Sequence, residues 1–220
     1  ADAIRLLSLL RAATDTLDIG GGEPLCRDDL EELLTHCRRI GLRAVVNTKG
    51  IGLEERPDLL RLADAVVLSV DTLDRGRLTA LLGRDEAMAD RALRNLEFAV
   101  RNRIRLGARL VLGAVILPGR VEDAREILRY CVEHGLGFRF SPEIQGMAVN
   151  PALVGDPAYR GFVEEALQRK REGHAIFGTR QYLEGIRDFP PFRCYPFLLP
   201  AIRPDGRICY PCLEIGKGEV

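Results

Sequence analysis

The sequence predicts an α/β fold: a partial barrel of parallel strands, each followed by a helix, with a small cysteine-bearing β-hairpin at the C-terminal end. Three observations predict it. Short apolar runs alternate with amphipathic helical segments from residue 2 to about residue 145. One of those runs, Ala65 to Val70, is apolar almost throughout, as a strand covered on both faces must be. Near the end, Pro204-Asp205-Gly206 stands between two strand-like pieces, a hairpin signal.

The elements follow in order. Ile4 to Arg11 has apolar residues at helical spacing with arginines between them, and Thr16-Leu17-Asp18-Ile19 is the first strand of the chain. Leu30, Leu33, Leu34 and Cys37 line one face of a helix over Leu30 to Ile40. A second unit runs from Arg43-Ala44-Val45-Val46-Asn47 into a short helix, Pro57 to Ala63, where Pro57 suits the first turn. The Ala65 to Val70 strand is then served by a helix over Ala87 to Arg103. In Ala108 to Leu117, Leu110, Leu112, Ala114 and Ile116 alternate with Val111 and Val115, so the two sets face opposite ways. Val121 to His134 is helical and closes at Gly135, and Phe138-Arg139-Phe140 is the fifth strand. Five such units joined by right-handed crossovers make a curved parallel sheet. The reading divides the chain into a barrel core, 1–145, a helical covering segment, 146–190, in which Tyr159 to Glu172 is the clearest helix, and a cysteine hairpin, 191–220.

Composition narrows the function. Lys plus Arg and Asp plus Glu each number 32, so no overall field recruits nucleic acid or an anionic membrane surface. The apolar stretches fall short of the roughly 20 residues of a membrane helix, so no membrane association is expected. The 6 cysteines are spread too widely for a small disulfide scaffold and fit a reducing compartment, hence a cytoplasmic protein. Cys37 and Cys131 sit among apolar helix neighbours and are expected to be inert buried thiols. His134 and His174 are expected to be exposed or capping, and His36, on a polar helix face, to have no role.

In a parallel sheet of this kind the chemistry belongs at the carboxyl ends of the strands. Those ends are Gly20-Gly21-Gly22-Glu23-Pro24, Asn47-Thr48-Lys49-Gly50, Ser69-Val70-Asp71, Leu117-Pro118-Gly119 and Ser141-Pro142-Glu143. Successive glycines leave backbone groups bare for a ligand, and the carboxylate of Glu23 favours an ammonium group over a phosphate. The other reading of the same residues is a tight turn in which Glu23 caps the helix that follows. Ser69 reads equally as a ligand and as a hydrogen-bonded core hydroxyl. Arg109 and Arg139, in or beside strands, could meet an anion or form exposed ion pairs.

The stretch Leu17-Asp18-Ile19-Gly20-Gly21-Gly22-Glu23-Pro24-Leu25 resembles the Gly-Gly-Glu-Pro region of radical S-adenosylmethionine (SAM) enzymes. Val46-Asn47-Thr48-Lys49-Gly50 is similar to that family's Thr-Asn-Gly segment, and Leu68-Ser69-Val70-Asp71 to its Ser-x-Asp segment, in the same order. The resemblance spans about residues 1–145 and implies a partial (β/α)6 TIM-type barrel that here lacks its first strand. By this resemblance Gly21, Gly22 and Glu23 hold the methionine end of S-adenosylmethionine, Ser69 and Asp71 face its ribose, and Pro24 and Asn47 are further cosubstrate-binding residues. The family's Cys-x-x-x-Cys-x-x-Cys loop, which binds a [4Fe-4S] cluster, has no counterpart among these cysteines; its ligands are expected upstream of residue 1. The implied activity is generation of a 5′-deoxyadenosyl radical to modify a peptide or small-molecule substrate, with an electron donor such as flavodoxin or ferredoxin.

The C-terminal hairpin places Cys194, Cys209 and Cys212 together around its turn, a spacing suited to a metal ion or a cluster face. It resembles the start of the SPASM extension of the same superfamily, which implies an auxiliary iron-sulfur cluster, although the distances from Gly206 to Cys209 and Cys212 depart from the usual pattern. Zinc fits the local spacing as well. The alternative to a radical enzyme is a degenerate, non-redox barrel that binds a peptide or small molecule and carries a structural metal at those cysteines.

Overall fold

The computed structural model describes residues 2–83, 86–146, 148–191, 200–210 and 218–219. Its centre is a five-stranded sheet in which β1 (Thr16–Ile19), β2 (Arg43–Thr48), β3 (Ala65–Ser69), β4 (Leu110–Ile116) and β5 (Gly137–Pro142) lie side by side in chain order. Every neighbouring pair is parallel, with Leu17 opposite Ala44, Val46 opposite Val66, Leu68 opposite Leu112 and Leu112 opposite Phe138. The α/β partial barrel read from the sequence is thus present. Because side chains alternate along a strand, this register sorts the sheet into two chemically different faces.

The outer face is the apolar one. Val46, Val66, Leu68, Leu110, Leu112, Ile116, Phe138 and Phe140 form one buried cluster with the helices. Those are α1 (Asp2–Leu10), α2 (Leu30–Ile40), α3 (Asp58–Leu62), α5 (Glu86–Asn102) and α6 (Val121–His134), which contribute Leu7, Leu34, Leu60, Leu96 and Leu128. α7 (Pro157–Arg171) extends the same layer, its Phe162 ring meeting Phe140 edge-on at 4.9 Å between centroids. Burying such side chains stabilises the fold by about 1.5–3 kcal/mol each, relative to leaving them in water.

The inner face is set by the other half of each strand: Asp18 on β1, Val45 and Asn47 on β2, Val67 and Ser69 on β3, Val111 and Gly113 on β4, Arg139 and Ser141 on β5. None of these belongs to the helix-covered cluster. Gly113 fits its place because Arg139 crosses it: a Cβ there would stand 3.1 Å from the Arg139 Nε and 3.2 Å from a Val67 methyl.

Several elements lie outside the sequence reading. α4 (Arg75–Leu82) buries none of its side chains and is held by its N-cap, Asp74, which accepts from the Arg77 amide at 2.7 Å. After α7 the chain returns to β5, where Phe138 donates to the Ala175 carbonyl and accepts from the Phe177 amide, making an isolated parallel bridge at Ile176. α8 (Arg180–Asp188) begins at the Thr179 cap and buries Leu183 in the same cluster as the barrel. β6 (Ile144–Gln145) and β7 (Ala148–Val149) form a small hairpin beyond β5. The C-terminal hairpin is present as β8 (Ala201–Ile202) against β9 (Ile208–Tyr210), with β10 (Gly218–Glu219) on its other side.

One expectation is corrected here. His36 is buried rather than on a polar face: its Nε2 lies 2.9 Å from the Ser8 hydroxyl and its Nδ1 2.8 Å from an Arg39 guanidinium nitrogen. The reason is α1, which packs across α2 and covers a side that α2 alone would leave in water. Cys37 and Cys131 are buried free thiols, as expected, and burial pushes the Cys131 thiol up to about 12. No helix among the described residues is long and apolar enough to cross a membrane.

Candidate functional site

The strand-end segments singled out from the sequence converge on one rim, because all five strands run the same way. Between Gly20 and Gly22 the backbone is open: a Cβ at any of the three positions would meet nothing within 4 Å, and Gly21 holds φ at +118°, a conformation that disfavours other residues. The chain then turns into a short 3₁₀ segment, Pro24–Cys26, with Glu23 as its N-cap. Glu23 thus does what the structural alternative asked of it. It also does more.

The Glu23 carboxylate ties the first strand end to the second. One oxygen accepts from the Leu25 amide at 3.1 Å and from the Thr48 hydroxyl, and the other accepts from the Lys49 amide at 2.9 Å. A carboxylate offers about four acceptor positions, so these three donors leave room for one more. Thr48 is itself buried, and its oxygen accepts from the Gly50 amide at 2.9 Å. Gly50 has φ +73°, and a Cβ on it would come within 2.8 Å of Leu68, which closes the base of the loop.

The second strand end meets the third through Ser69, whose hydroxyl donates to the Asn47 side-chain oxygen at 3.2 Å. The third meets the fourth through Asp71, which accepts from the Val115 amide at 3.0 Å. The predicted residues Gly21, Gly22, Glu23, Pro24, Asn47, Ser69 and Asp71 therefore share one edge of the barrel, laced strand to strand by side-chain hydrogen bonds. Bare amides, an accepting carboxylate, a hydroxyl and a primary amide are polar groups able to meet an amino-acid end and a sugar hydroxyl.

Two contributors went unrecognised in the sequence. Arg56 reaches back from before α3 to donate to the Leu25 carbonyl at 2.7 Å and the Arg27 carbonyl at 2.9 Å, fixing the exit of the glycine loop. It is held in turn by Glu31, whose carboxyl the hydrogen bond from Arg56 keeps below its usual range. Asp18 stands two residues before Gly20 on the inner face of β1 and stays exposed there; partial desolvation pushes its carboxyl upward and the Arg139 guanidinium partly offsets that. Only non-local folding makes either visible.

Of the other candidates, Arg109 sits at the opposite, amino-terminal end of the strands, lining a cleft of about 410 Å³ with Ile104, Leu136 and Phe177. It is remote from the rim. Cys209 is a buried free thiol on β9, whereas Cys194 and Cys212 lie outside the described residues. Among the described residues, no three His, Cys, Asp or Glu side chains are grouped so as to hold a metal ion.

Comparison with known proteins gives a consistent picture. The profile of the Radical SAM superfamily matches residues 1–131. A GTP 3′,8-cyclase of Rhodococcus opacus is 30% identical over 151 residues, 66% of this chain and 41% of that protein. A GTP 3′,8-cyclase of Corynebacterium glutamicum is 28% identical over 192 residues, 82% of this chain and 49% of that protein. The chain thus spans under half the length of these relatives. Among solved structures, Streptococcus suis SuiB bound to S-adenosylmethionine superimposes over 100% of this chain and 55% of its own with TM-score 0.69 at 19% identity. Native anSMEcpe with bound AdoMet gives 0.62 at 14% identity over 94% of this chain and 63% of its own. At such identities the likeness concerns the fold.

Proposed function

The chain belongs to the radical SAM superfamily, and on that premise we propose that it is the cosubstrate-holding part of a radical S-adenosylmethionine enzyme. In this reading Gly21 and Gly22 present their backbone to the methionine end of the cosubstrate, Glu23 receives its ammonium, and the rigid turn at Pro24 keeps that carboxylate in place. Asn47, Ser69 and Asp71 lie toward the ribose. The observation that carries the reading is the lacing of the rim, which brings an open glycine backbone, an incompletely used carboxylate and a hydroxyl–amide pair to one edge.

When bound, a [4Fe-4S] cluster and S-adenosylmethionine supply one-electron cleavage of the sulfonium, giving a 5′-deoxyadenosyl radical that abstracts hydrogen from a substrate. The chain's own residues orient and shield. Glu23 fixes the position of the methionine end relative to β2, Ser69 and Asn47 set the sugar against β3, and Asp71 holds β4 against the same edge. Cys194, Cys209 and Cys212 are proposed ligands of an auxiliary iron-sulfur cluster in a SPASM-like extension, with zinc as the other occupant.

The substrate is proposed to be a peptide or small molecule and the reductant a flavodoxin- or ferredoxin-type donor, in the cytoplasm. The direct test uses the full-length protein, purified without oxygen and reduced with dithionite. S-adenosylmethionine should bind, and 5′-deoxyadenosine should accumulate and be measured by mass spectrometry. Glu23→Ala should weaken binding about tenfold or more, the value of a charge-assisted hydrogen bond. Tight binding unchanged by Glu23→Ala and by Ser69→Ala would refute the assignment. Iron, sulfide and zinc contents of the Cys209→Ala and Cys212→Ala proteins then test the tail.

A further inference from the structure

Behind the rim, one buried carboxylate ties two strand-end loops together. Asp123 stands in the first turn of α6 with its side chain only 5% exposed, and three donors converge on it. One oxygen accepts from the Thr72 hydroxyl at 2.8 Å and lies 2.9 Å from the Arg77 Nε, while the other lies 3.2 Å from the Arg120 Nε. Thr72 follows directly on Asp71 after β3, Arg77 belongs to α4, and Arg120 ends the turn that leaves β4. Thr72 is itself fully buried, and its oxygen accepts from the Asp74 amide at 3.1 Å, so the hydroxyl is used as donor and acceptor and its direction is fixed.

A buried carboxylate is costly unless donors surround it, and an apolar side chain could fill the same space without that cost. What the charged group adds is direction, since its partners must lie along particular lines whereas apolar contacts tolerate sliding. Direction matters here because α4 buries none of its side chains, and of residues 71–74 only Leu73, half-buried, packs against the apolar cluster. Polar contacts therefore decide how the loop after β3 sits. Asp71 heads that loop: one of its oxygens accepts from the Val115 amide at 3.0 Å, and the other makes no hydrogen bond among the described residues, which leaves it for a ligand.

We propose that Asp123, acting through Thr72, is a positioning residue for Asp71, holding the third strand end at the depth and angle at which Asp71 meets the ribose of the cosubstrate. This rests on the rim being the cosubstrate site. The Thr72–Asp123 bond anchors the chain on one side of the Asp71 carboxylate and the Val115 amide holds the other, so the group is clamped between β3 and β4.

The test is S-adenosylmethionine affinity, measured by isothermal titration calorimetry on the full-length protein purified without oxygen. Thr72→Val keeps the shape and removes the hydroxyl, Thr72→Ser keeps the hydroxyl, and Asp123→Asn keeps the shape and removes the charge. Thr72→Val and Asp123→Asn should each weaken binding about fivefold or more, and Thr72→Ser should recover most of that loss. In an Asp71→Asn background, itself about tenfold weaker, the same two substitutions should change affinity by less than about twofold, because the group they position no longer contributes. A merely structural role would add its loss in either background. The proposal is overturned if Thr72→Val or a folded Asp123→Asn protein binds as tightly as the unsubstituted one, or if the losses persist in full beside Asp71→Asn; where Asp123→Asn fails to fold, the Thr72 variants decide. An unsubstituted protein that does not bind S-adenosylmethionine, or an Asp71→Asn protein that binds it undiminished, would sink the reading of the rim itself, a pattern distinct from the other two.

Discussion

Removing the Thr48 hydroxyl should unlace the rim while leaving its shape almost intact. Thr48→Val keeps the branched shape and exchanges the hydroxyl for a methyl. The hydroxyl donates to the Glu23 carboxylate and accepts from the buried Gly50 amide, and Thr48 itself is only 3% exposed, so water cannot replace it freely. The charge-assisted bond contributes about 1.5–3 kcal/mol and the second about 1 kcal/mol, while the added methyl returns about 0.8 kcal/mol. The net expected loss is about 2–3 kcal/mol. Thr48→Ser is the control, since it keeps both hydrogen bonds and gives up one methyl, about 1 kcal/mol. Urea unfolding of the full-length protein should therefore rank unsubstituted above Ser above Val. Because Glu23 is left with fewer anchors, S-adenosylmethionine affinity should fall in Val and hold in Ser. A Val protein as stable as the Ser protein, with equal affinity, would refute the claim that this hydroxyl joins the first two strand ends.

Three further outcomes follow from the packing and the charges. Gly50→Ala puts a Cβ 2.8 Å from Leu68 at φ +73°, so it should cost about 2 kcal/mol or more, visible as a lower thermal midpoint; an unchanged midpoint would contradict the close approach. Cys131, buried and with its thiol pushed up to about 12, should resist iodoacetamide at pH 8 in the folded protein while exposed Cys26 is modified, a difference that peptide mass spectrometry reads directly. Asp18 carries a raised carboxyl value, so the folded state binds a proton more readily there than the unfolded state. Its favourable contribution is complete below 3.8 and is lost as pH rises through the raised value, so Asp18→Asn should gain stability over the unsubstituted protein on going from pH 3 to pH 7; a gap that stays constant would rule the raised value out.

What the sequence made legible was whatever depends on neighbours in the chain. The alternation of Leu110, Leu112, Ala114 and Ile116 with Val111 and Val115 gave β4 its two faces, and the turn at Pro204-Asp205-Gly206 gave the C-terminal hairpin, because both signals are local. The strand-end residues were legible for a related reason: in a parallel sheet, position along each strand fixes the rim. α4 was hidden because its apolar residues make no stripe; it stands on the Asp74 cap and on ion pairs from Arg75 to Glu86 and Asp90. The return of residues 175–177 to β5 was hidden because it joins segments separated by all of α7. His36 was misread because the helix that packs over it, α1, is a separate element that reaches it through Ser8.

The same division explains why the strand-end rim could be read and the inner face of the sheet could not. Glu23 announces itself next to three glycines, whereas Asp18 is one acidic residue in a strand and Arg139 one basic residue in another, more than a hundred positions later. Only the register of the five parallel strands puts both on the inner face, where the absent side chain at Gly113 leaves room for Arg139.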